Sequence, residues 1–366
     1  MNISELRSLP LEQKIGQLFF IGIAGPEIDA ATRTLLSDIS PGGVCLFARN
    51  IKEAKQTSDL LDALSESLPL KPFLSLDQEG GLVDRLRRIL TPMPAANKIK
   101  TAEQARRLGN IIGEAISLLG FNMNFAPVVD VVDNSRSNFQ NGLQSRAFGD
   151  SKEQVVEFAS AFLDGLESFG IIGCLKHFPG LAASAGDSHE ELPIVSISDE
   201  ELTATDLFPY RKLLTRNVCV MTAHASYPNS RLQEADVNGK LLPSSLNRSV
   251  VSNLLRNELN FSGVAVTDDL EMGAILKNYG IGEACKLAIA AGQDMLAICA
   301  EPKSIYDGFS AIADAVKSGE ISEGRIDESL QRIAKLRSTI SPRKPLDTDR
   351  LSELSAEIKE LNESLN

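Results

Sequence analysis

The chain has 366 residues, of which 43% are hydrophobic and 23% are charged. This composition is that of a globular protein with a large core and excludes disorder, a fibre and a disulfide scaffold. The 37 basic and 49 acidic residues give a net charge of −12, which disfavours nucleic acid and anionic membrane surfaces as partners.

The cysteine pattern and the N-terminus both favour a cytoplasmic protein. The five cysteines form no CxxC pair, and they are Cys45, Cys174, Cys219, Cys285 and Cys299. An odd number of thiols in apolar runs indicates free cysteines in a reducing compartment. The chain starts without a basic segment followed by a hydrophobic one, and the apolar stretch 18–24 is too short to span a bilayer. We therefore expect neither export nor a membrane partner.

Eight short apolar runs of strand type recur along the chain at fairly even spacing. They are 18–23, 43–47, 73–77, 122–130, 171–176, 217–223, 263–268 and 294–299. Segments with helical periodicity lie between most of them, and examples are 51–67, 102–119, 152–169, 199–215, 243–259 and 281–291. The pattern therefore predicts repeated βα units.

These units predict an α/β fold built as a single (β/α)8 barrel of the TIM type. Continuous apolar strands are buried on both faces, as in a parallel sheet covered by helices. An open doubly wound sheet is the alternative, but it should carry a GxGxxG motif, which is absent. We expect the barrel to cover 1–340.

The segment 341–366 is expected to form a C-terminal helical extension. Pro342 and Pro345 interrupt the chain before a polar stretch with apolar residues at helical spacing. The apolar positions are Leu351, Leu354, Ile358, Leu361 and Leu365. Such a short stripe favours packing on the chain's own barrel over packing on a second subunit.

Several predicted strands end in polar residues, namely Asp77, Asp130, Lys176, His224 and Asp268. In a (β/α)8 barrel the reacting groups lie at the carboxyl ends of the strands, so these residues predict an enzyme site. A single aspartate at such an end is usually a helix cap, which is the simpler alternative for each one taken alone.

A small-residue loop after Lys176 and His177 leads to the pair Asp187 and His189. An aspartate two residues before a histidine can orient the imidazole and raise its pKa, which suits proton transfer near neutrality. An ordinary solvated loop is the alternative. The third histidine, His224, is distant in sequence, and the spacing matches no close pair of metal ligands, so no metal is predicted.

Two further strand ends carry candidate groups. At Asp268 and Asp269, successive strand residues should face opposite sides, so one carboxylate would point into the barrel mouth and the other would cap the next turn. A carboxylate in the mouth could attack an electrophilic carbon. Asp77 and Arg85 could bind sugar hydroxyls or could form an ion pair at the barrel rim.

Together these residues make a glycosidase-like set, and five motifs carry a resemblance to a known family. The motifs are DQEGG at 77–81, KHFPG at 176–180, DSHEELP at 187–193, MTAHASYP at 221–228 and TDDLEM at 267–272. In order and spacing, over roughly 17–300, the chain closely resembles glycoside hydrolase family 3, specifically its bacterial β-N-acetylglucosaminidases.

The resemblance implies a retaining exo-hydrolase without metal or cofactor, whose barrel is of the family's N-terminal type. It implies Asp268 as nucleophile and His189 as acid/base, with Asp187 orienting the imidazole. The residues implied to hold the sugar are Asp77, Arg85, Arg146, Lys176 and His177. The implied substrate is a small saccharide or a muropeptide fragment from cell-wall recycling, and the implied assembly is a monomer or weak homodimer.

The chain departs from the family pattern at three places, one of which is the whole segment 133–144. Leu82 stands where the family commonly has arginine after DQEGG, and Leu181 and Ala182 follow KHFPG in place of His-Gly. The absence of tryptophan favours small soluble substrates over long polysaccharides. Other readings remain open: a phosphorylase or β-glucosidase of the same family, a lyase using Lys176 as a Schiff base, and a non-catalytic sugar-binding barrel.

Overall fold

The computed structural model describes residues 6, 8–139, 141–186 and 191–365. Within these residues, eight parallel strands form one sheet. The strands are β1 Phe19–Ile21, β2 Gly43–Leu46, β3 Phe73–Leu76, β4 Met123–Asn124, β5 Gly173–Phe178, β6 Val218–Thr222, β7 Ala265–Asp269 and β8 Met295–Ile298. Each lies within or overlaps one of the eight predicted runs, and the predicted (β/α)8 barrel is confirmed.

The sheet closes on itself between β4 and β5. Its strand order is β4-β3-β2-β1-β8-β7-β6-β5, so β1 pairs with both β2 and β8. The chain at 122–129 is joined to 172–176 by four backbone hydrogen bonds: Ile172 N–H donates to Asn122 O at 3.0 Å, Asn124 N–H to Ile172 O at 2.9 Å, Cys174 N–H to Ala126 O at 2.8 Å and Val129 N–H to Lys176 O at 2.8 Å. The barrel is therefore nearly continuous, with a seam at β4–β5.

Helices surround the strands. The α-helices of the described residues are α1 Leu11–Gly16, α2 Ala30–Ile39, α3 Ala54–Ser67, α4 Ala102–Leu119, α5 Lys152–Ser168, α6 Asp199–Glu201, α7 Leu207–Leu213, α8 Gly273–Leu276, α9 Ile281–Ala291, α10 Pro302–Ser318, α11 Glu323–Arg337 and α12 Thr348–Ser364. Two 3-10 helices lie at Ala96–Lys98 and Ser244–Leu246, and π-helical segments lie at Leu202–Asp206 and Ser249–Glu258. No helix among these residues is long and apolar enough to cross a membrane.

Two predicted elements differ from the structure. The strand predicted at 122–130 is only two residues long, because Pro127 has no N–H group to continue a regular ladder, although Val129 N–H still donates to Lys176 O of β5. The single helix predicted at 243–259 is wrong, since it divides at Asn247. The side chain of Asn247 accepts hydrogen bonds from the backbone N–H groups of Ser249 and Val250 and thereby starts a second helical segment.

The predicted C-terminal helix is confirmed as α12, and it packs on the chain's own barrel. Its apolar stripe is buried at Leu351, Leu354, Ile358 and Leu361. On the polar side, the Arg350 guanidinium forms an ion pair with Glu114 of α4, with Nε 2.8 Å from Oε1. The division of the chain into 1–340 and 341–366 as separate units stays a prediction.

Helices α4 and α5, which flank β4, approach each other closely through two glycines. A Cβ atom added to Gly109 of α4 would lie 2.2 Å from the backbone oxygen of Phe162 in α5. A Cβ added to Gly165 would lie 2.4 Å from the backbone nitrogen of Asn110. These distances leave no room for any side chain, so the packing of α4 on α5 depends on both glycines.

Replacing Gly109 with alanine should therefore destabilise the fold despite the better helix propensity of alanine. Forcing the two helices apart should lower the free energy of unfolding by about 1–3 kcal/mol, as measured by urea unfolding. Gly324→Ala in α11 is the matched control, because the nearest atom to its new Cβ is 3.8 Å away. It should be neutral or stabilise by about 0.4–1 kcal/mol, and equal stabilities of the two variants would contradict the argument.

Candidate active site

A cavity of about 470 Å³ opens at the carboxyl ends of the strands. It is bordered by six residues predicted for the site: Asp77, Arg85, Arg146, Lys176, His177 and Asp268. The structure thus brings together predicted residues from four different strand ends or loops. The other two predicted residues, Asp187 and His189, lie outside the described residues.

A buried ion cluster forms one wall of this cavity. The Lys176 ammonium lies 2.7 Å from Asp77 Oδ1 and 2.6 Å from Glu79 Oε1. Arg146 donates to both oxygens of Glu79, from Nε at 2.8 Å and from Nη2 at 2.9 Å. Burial opposes ionisation of Glu79, but Lys176 and Arg146 outweigh it and hold the pKa of the carboxyl well below its ordinary value. The Glu79 carboxylate therefore stays ionised between its two cations, and these contacts fix all three side chains in place.

His177 is held by Asp130 at the end of the β4 segment. Its Nδ1 lies 2.7 Å from Asp130 Oδ2, and the same carboxylate accepts hydrogen bonds from the backbone N–H groups of His177 and Leu181. This fixes the ring and the start of the following loop. The Nε2 atom lies 3.4 Å from Arg146 Nη2 and borders the cavity.

Two strand irregularities place consecutive side chains in the same cavity. Along β5, Leu175 and Phe178 align with Val220 and Thr222 of β6, so the segment with Lys176 and His177 has one extra residue. Such a bulge breaks the alternation of faces along a strand. Lys176 and His177 consequently both border the cavity.

The second irregularity lies in β7 and explains why the expectation that only one aspartate faces the mouth is wrong. Val266 and Asp269 align with Met295 and Ala297 of β8, which again leaves one extra residue in the strand. Both Asp268 and Asp269 border the cavity. Asp269 also caps the next turn, as expected for one of the pair, because its Oδ1 accepts a hydrogen bond from Glu271 N–H at 3.0 Å.

The two carboxyls differ in their tendency to ionise. Burial disfavours the anion of Asp268, but the imidazoles of His177 and His224 and the N–H of Asp269 outweigh this and lower the pKa of Asp268. For Asp269, burial and the neighbouring carboxylates raise the pKa to about 7. A pair of acids with separated pKa values is typical of sites that use one group as an anion.

His224 is buried beneath the pair instead of facing a ligand. Its Nδ1 lies 2.7 Å from Ser245 Oγ, and its Nε2 lies 3.0 Å from the backbone oxygen of Asp269. Burial lowers the pKa of this imidazole. Among the described residues, no group of three or more His, Cys, Asp or Glu side chains is arranged to hold a metal ion.

Comparison with known proteins identifies the family. A model described as the glycosyl hydrolase family 3 N-terminal domain matches residues 10–336. The chain belongs to glycosyl hydrolase family 3. The predicted family membership and the assignment of the chain as a glycoside hydrolase are therefore confirmed.

Relatives within family 3 include named hexosaminidases. The chain is 30% identical over 331 residues to Beta-hexosaminidase A of Pseudoalteromonas piscicida, with 84% of this chain aligned but only 54% of that protein's length. It is 33% identical to Beta-hexosaminidase of Pseudomonas aeruginosa, covering 80% of this chain and 85% of that protein. The structure is similar to a family 3 beta-N-acetylglucosaminidase from Paenibacillus, with a TM-score of 0.87 and 35% identity over 97% of this chain and 69% of the other.

Arg85 retains unused donors in the family 3 cavity. Its Nη2 lies 3.9 Å from Asp77 Oδ2, which is a long contact, and its buried Nε has no hydrogen-bond partner. The guanidinium carbon lies 5.9 Å from the centre of the Phe47 ring. An Arg side chain held in this way can donate hydrogen bonds to a ligand without first breaking a strong ion pair.

Two side chains that were not predicted from the sequence, Arg136 and Asn141, support the loops after β4 and β5. Arg136 is buried and forms an ion pair with Asp206, with Nη1 2.7 Å from Oδ1. The Asn141 amide donates to the backbone oxygen of Ala182 at 2.8 Å, and so joins the loop after β4 to the loop after β5. Glu79 was not predicted although it lies inside the DQEGG motif, whereas Asp130 is one of the polar strand ends that predicted the site.

Removing the charge of Glu79 should destabilise the protein strongly. Glu79→Gln leaves Lys176 and Arg146 without their buried anion, and breaking such a pair costs about 3–5 kcal/mol in the free energy of unfolding at neutral pH. Because the folded pKa lies below the ordinary value of 4.5, this contribution is complete above about pH 4.5 and decreases at lower pH. Urea unfolding of both proteins across this range would measure the effect.

Asp59→Asn is the matched control for this experiment. Asp59 forms an exposed ion pair with Lys55, at 2.8 Å between Nζ and Oδ2. The same change from carboxylate to amide should alter the free energy of unfolding by at most about 0.5 kcal/mol. A difference between wild type and Glu79→Gln that is equally small, or that grows at acidic pH, would disprove the role given to the cluster.

Proposed function

We propose that the chain is a retaining exo-hydrolase that releases terminal β-linked N-acetylglucosamine from small saccharides or muropeptide fragments. The observation that carries this proposal is the half-buried, ionised Asp268 at a cavity that also holds the Lys176 cluster and His177. The names of the relatives support the sugar specificity. A cavity of this size suits a small-molecule substrate.

In the proposed first step, an oxygen of Asp268 attacks the anomeric carbon while the bond to the leaving oxygen breaks. The transition state carries positive charge at the anomeric carbon, which the Asp268 carboxylate stabilises before the bond forms. His189 gives its proton to the leaving oxygen. In the second step water attacks the same carbon and loses a proton to His189, which releases the sugar and regenerates the Asp268 carboxylate.

The charged wall would hold the non-reducing sugar for this attack. Asp77 can accept hydrogen bonds from sugar hydroxyls, while Arg85, Arg146 and Lys176 can donate to them. His177 borders the same space through its Nε2 edge. Because these groups are already fixed by one another, a bound sugar would be oriented without much reordering of side chains.

The loop after β5 would deliver the acid/base. Asp187 orients the His189 imidazole in this proposal, and the segment just before them is attached to Asn141 through the backbone oxygen of Ala182. Small residues at Ala183 and Ala185 suit a loop that closes over a bound substrate.

We also propose a cytoplasmic location and no nucleic-acid or membrane partner. All five cysteines are free and buried, which fits a reducing compartment. The net charge of −12 disfavours polyanions. A monomer or weak homodimer, with the saccharide as the only ligand and no cofactor, completes the proposal.

Hydrolysis of an aryl β-N-acetylglucosaminide, compared with the matching β-glucoside, tests the proposal. We expect Asp268→Ala to remove activity because no covalent intermediate can form. His189→Ala should lower kcat by about 10²–10⁴-fold for an alkyl leaving group and by less for an aryl one, which needs little protonation. Asp314→Asn on the exposed side of α10 is the control and should leave the rate unchanged.

Other outcomes would redirect the assignment. A rate that requires phosphate would make the protein a phosphorylase, and preference for the glucoside would make it a β-glucosidase. Folded protein without turnover of either sugar would favour a binding protein. Activity retained in Asp268→Ala would remove the proposed nucleophile.

A further inference from the structure

Leu82 stands exposed at the mouth of the cavity on a fixed turn. Leu82 is 72% exposed, whereas the charged side chains of the ion cluster and of Arg85 are between 2% and 25% accessible, so Leu82 lies nearer the solvent than they do. Gly80 and Gly81 adopt positive φ angles of 95° and 58°, and Val83 N–H donates to Gly80 O at 3.1 Å. The two glycines and this hydrogen bond fix the backbone on both sides of Leu82, which borders the cavity.

A single exposed leucine is ordinary on a protein surface, but this one borders the cavity. The cavity is also bordered by Leu143, Leu181, Met221 and Met272, which come from four other strand ends or loops. All four are buried, with 0–8% exposure. The lining therefore combines charged side chains that can bind hydroxyls with these five apolar residues, of which Leu82 is the most exposed.

We propose that Leu82, with the other apolar residues of the lining, forms the binding subsite for the leaving group, and that the natural leaving group presents a hydroxyl-poor, apolar surface. The inference rests on the proposed function. An exo-hydrolase encloses the terminal sugar, so the leaving group must extend toward the opening. Alkyl, aryl or ether-linked carbon at that position would remove the Leu82 surface from water, whereas a hydroxyl-rich group would lose hydration against it.

Two substrates with the same sugar separate the effect of Leu82 on binding of the leaving group from any effect on cleavage of the glycosidic bond. The hexyl and glyceryl β-N-acetylglucosaminides differ in the polarity of the leaving group, and the ratio of their kcat/KM values is compared between variants. The intrinsic reactivity of each leaving group cancels in that comparison. We expect Leu82→Ser to lower the hexyl-to-glyceryl ratio about tenfold, because only the hexyl group loses its apolar contact.

Two further variants serve as controls. Leu82→Met keeps an apolar side chain and should keep the ratio within about twofold of wild type. Val237→Ser removes an apolar side chain that is 100% exposed and lies outside the cavity lining, and it should not change the ratio. Thermal unfolding should be unchanged in all three, since neither side chain is packed in the core.

The outcomes distinguish the inference from the function on which it rests. An unchanged ratio in Leu82→Ser, with both glycosides hydrolysed, overturns the subsite and leaves the hydrolase assignment intact. If sedimentation also showed a wild-type dimer that Leu82→Ser dissociates, a second copy of the chain would occupy the surface instead. Failure of the wild type to hydrolyse either glycoside would overturn the proposed function and the subsite together.

Discussion

The contact of the Glu79 carboxylate with Lys176 and Arg146 is the interaction on which the rest of the site depends. It joins the segments after β3 and β4 to β5 itself, and no other group of the cluster touches both cations as closely. Burying three charges is costly in isolation, and only their mutual neutralisation makes the arrangement stable. The Glu79 carboxylate thus positions the charged groups of Lys176 and Arg146 at the cavity.

The bulges in β5 and β7 provide the second constraint. A regular strand presents every second residue to the barrel mouth, which would separate Lys176 from His177 and Asp268 from Asp269. The extra residue in each strand brings both members of each pair to one cavity. The pKa values of the two aspartates then move apart: the imidazoles near Asp268 outweigh its burial and lower its pKa, whereas burial and the neighbouring carboxylates raise the pKa of Asp269.

Sequence patterns were sufficient for the architecture and for most of the cavity lining. Strands buried on both faces give apolar runs that are visible without a structure, and the motifs place polar residues at their ends. The early end of β4 could not be predicted, because the apolar residues after it are buried whether or not they form a regular ladder. The bulges in β5 and β7 could not be predicted either, because an extra residue changes which way the side chains point without changing the apolar composition of the strand. The role of Glu79 depends on two cations that are distant in sequence.

The closure between β4 and β5 ties the stability of the barrel to its ligand site. Ala126 and Val129 form backbone hydrogen bonds with β5, so the chain just after β4 completes the barrel wall. The same segment continues to Asp130, whose carboxylate holds His177, and to Arg146, which is bound to Glu79. One continuous stretch therefore both closes the barrel and positions groups at the cavity. A substitution there that weakens ligand binding is consequently expected to lower the stability of the fold as well, so the two properties cannot be selected separately at this point.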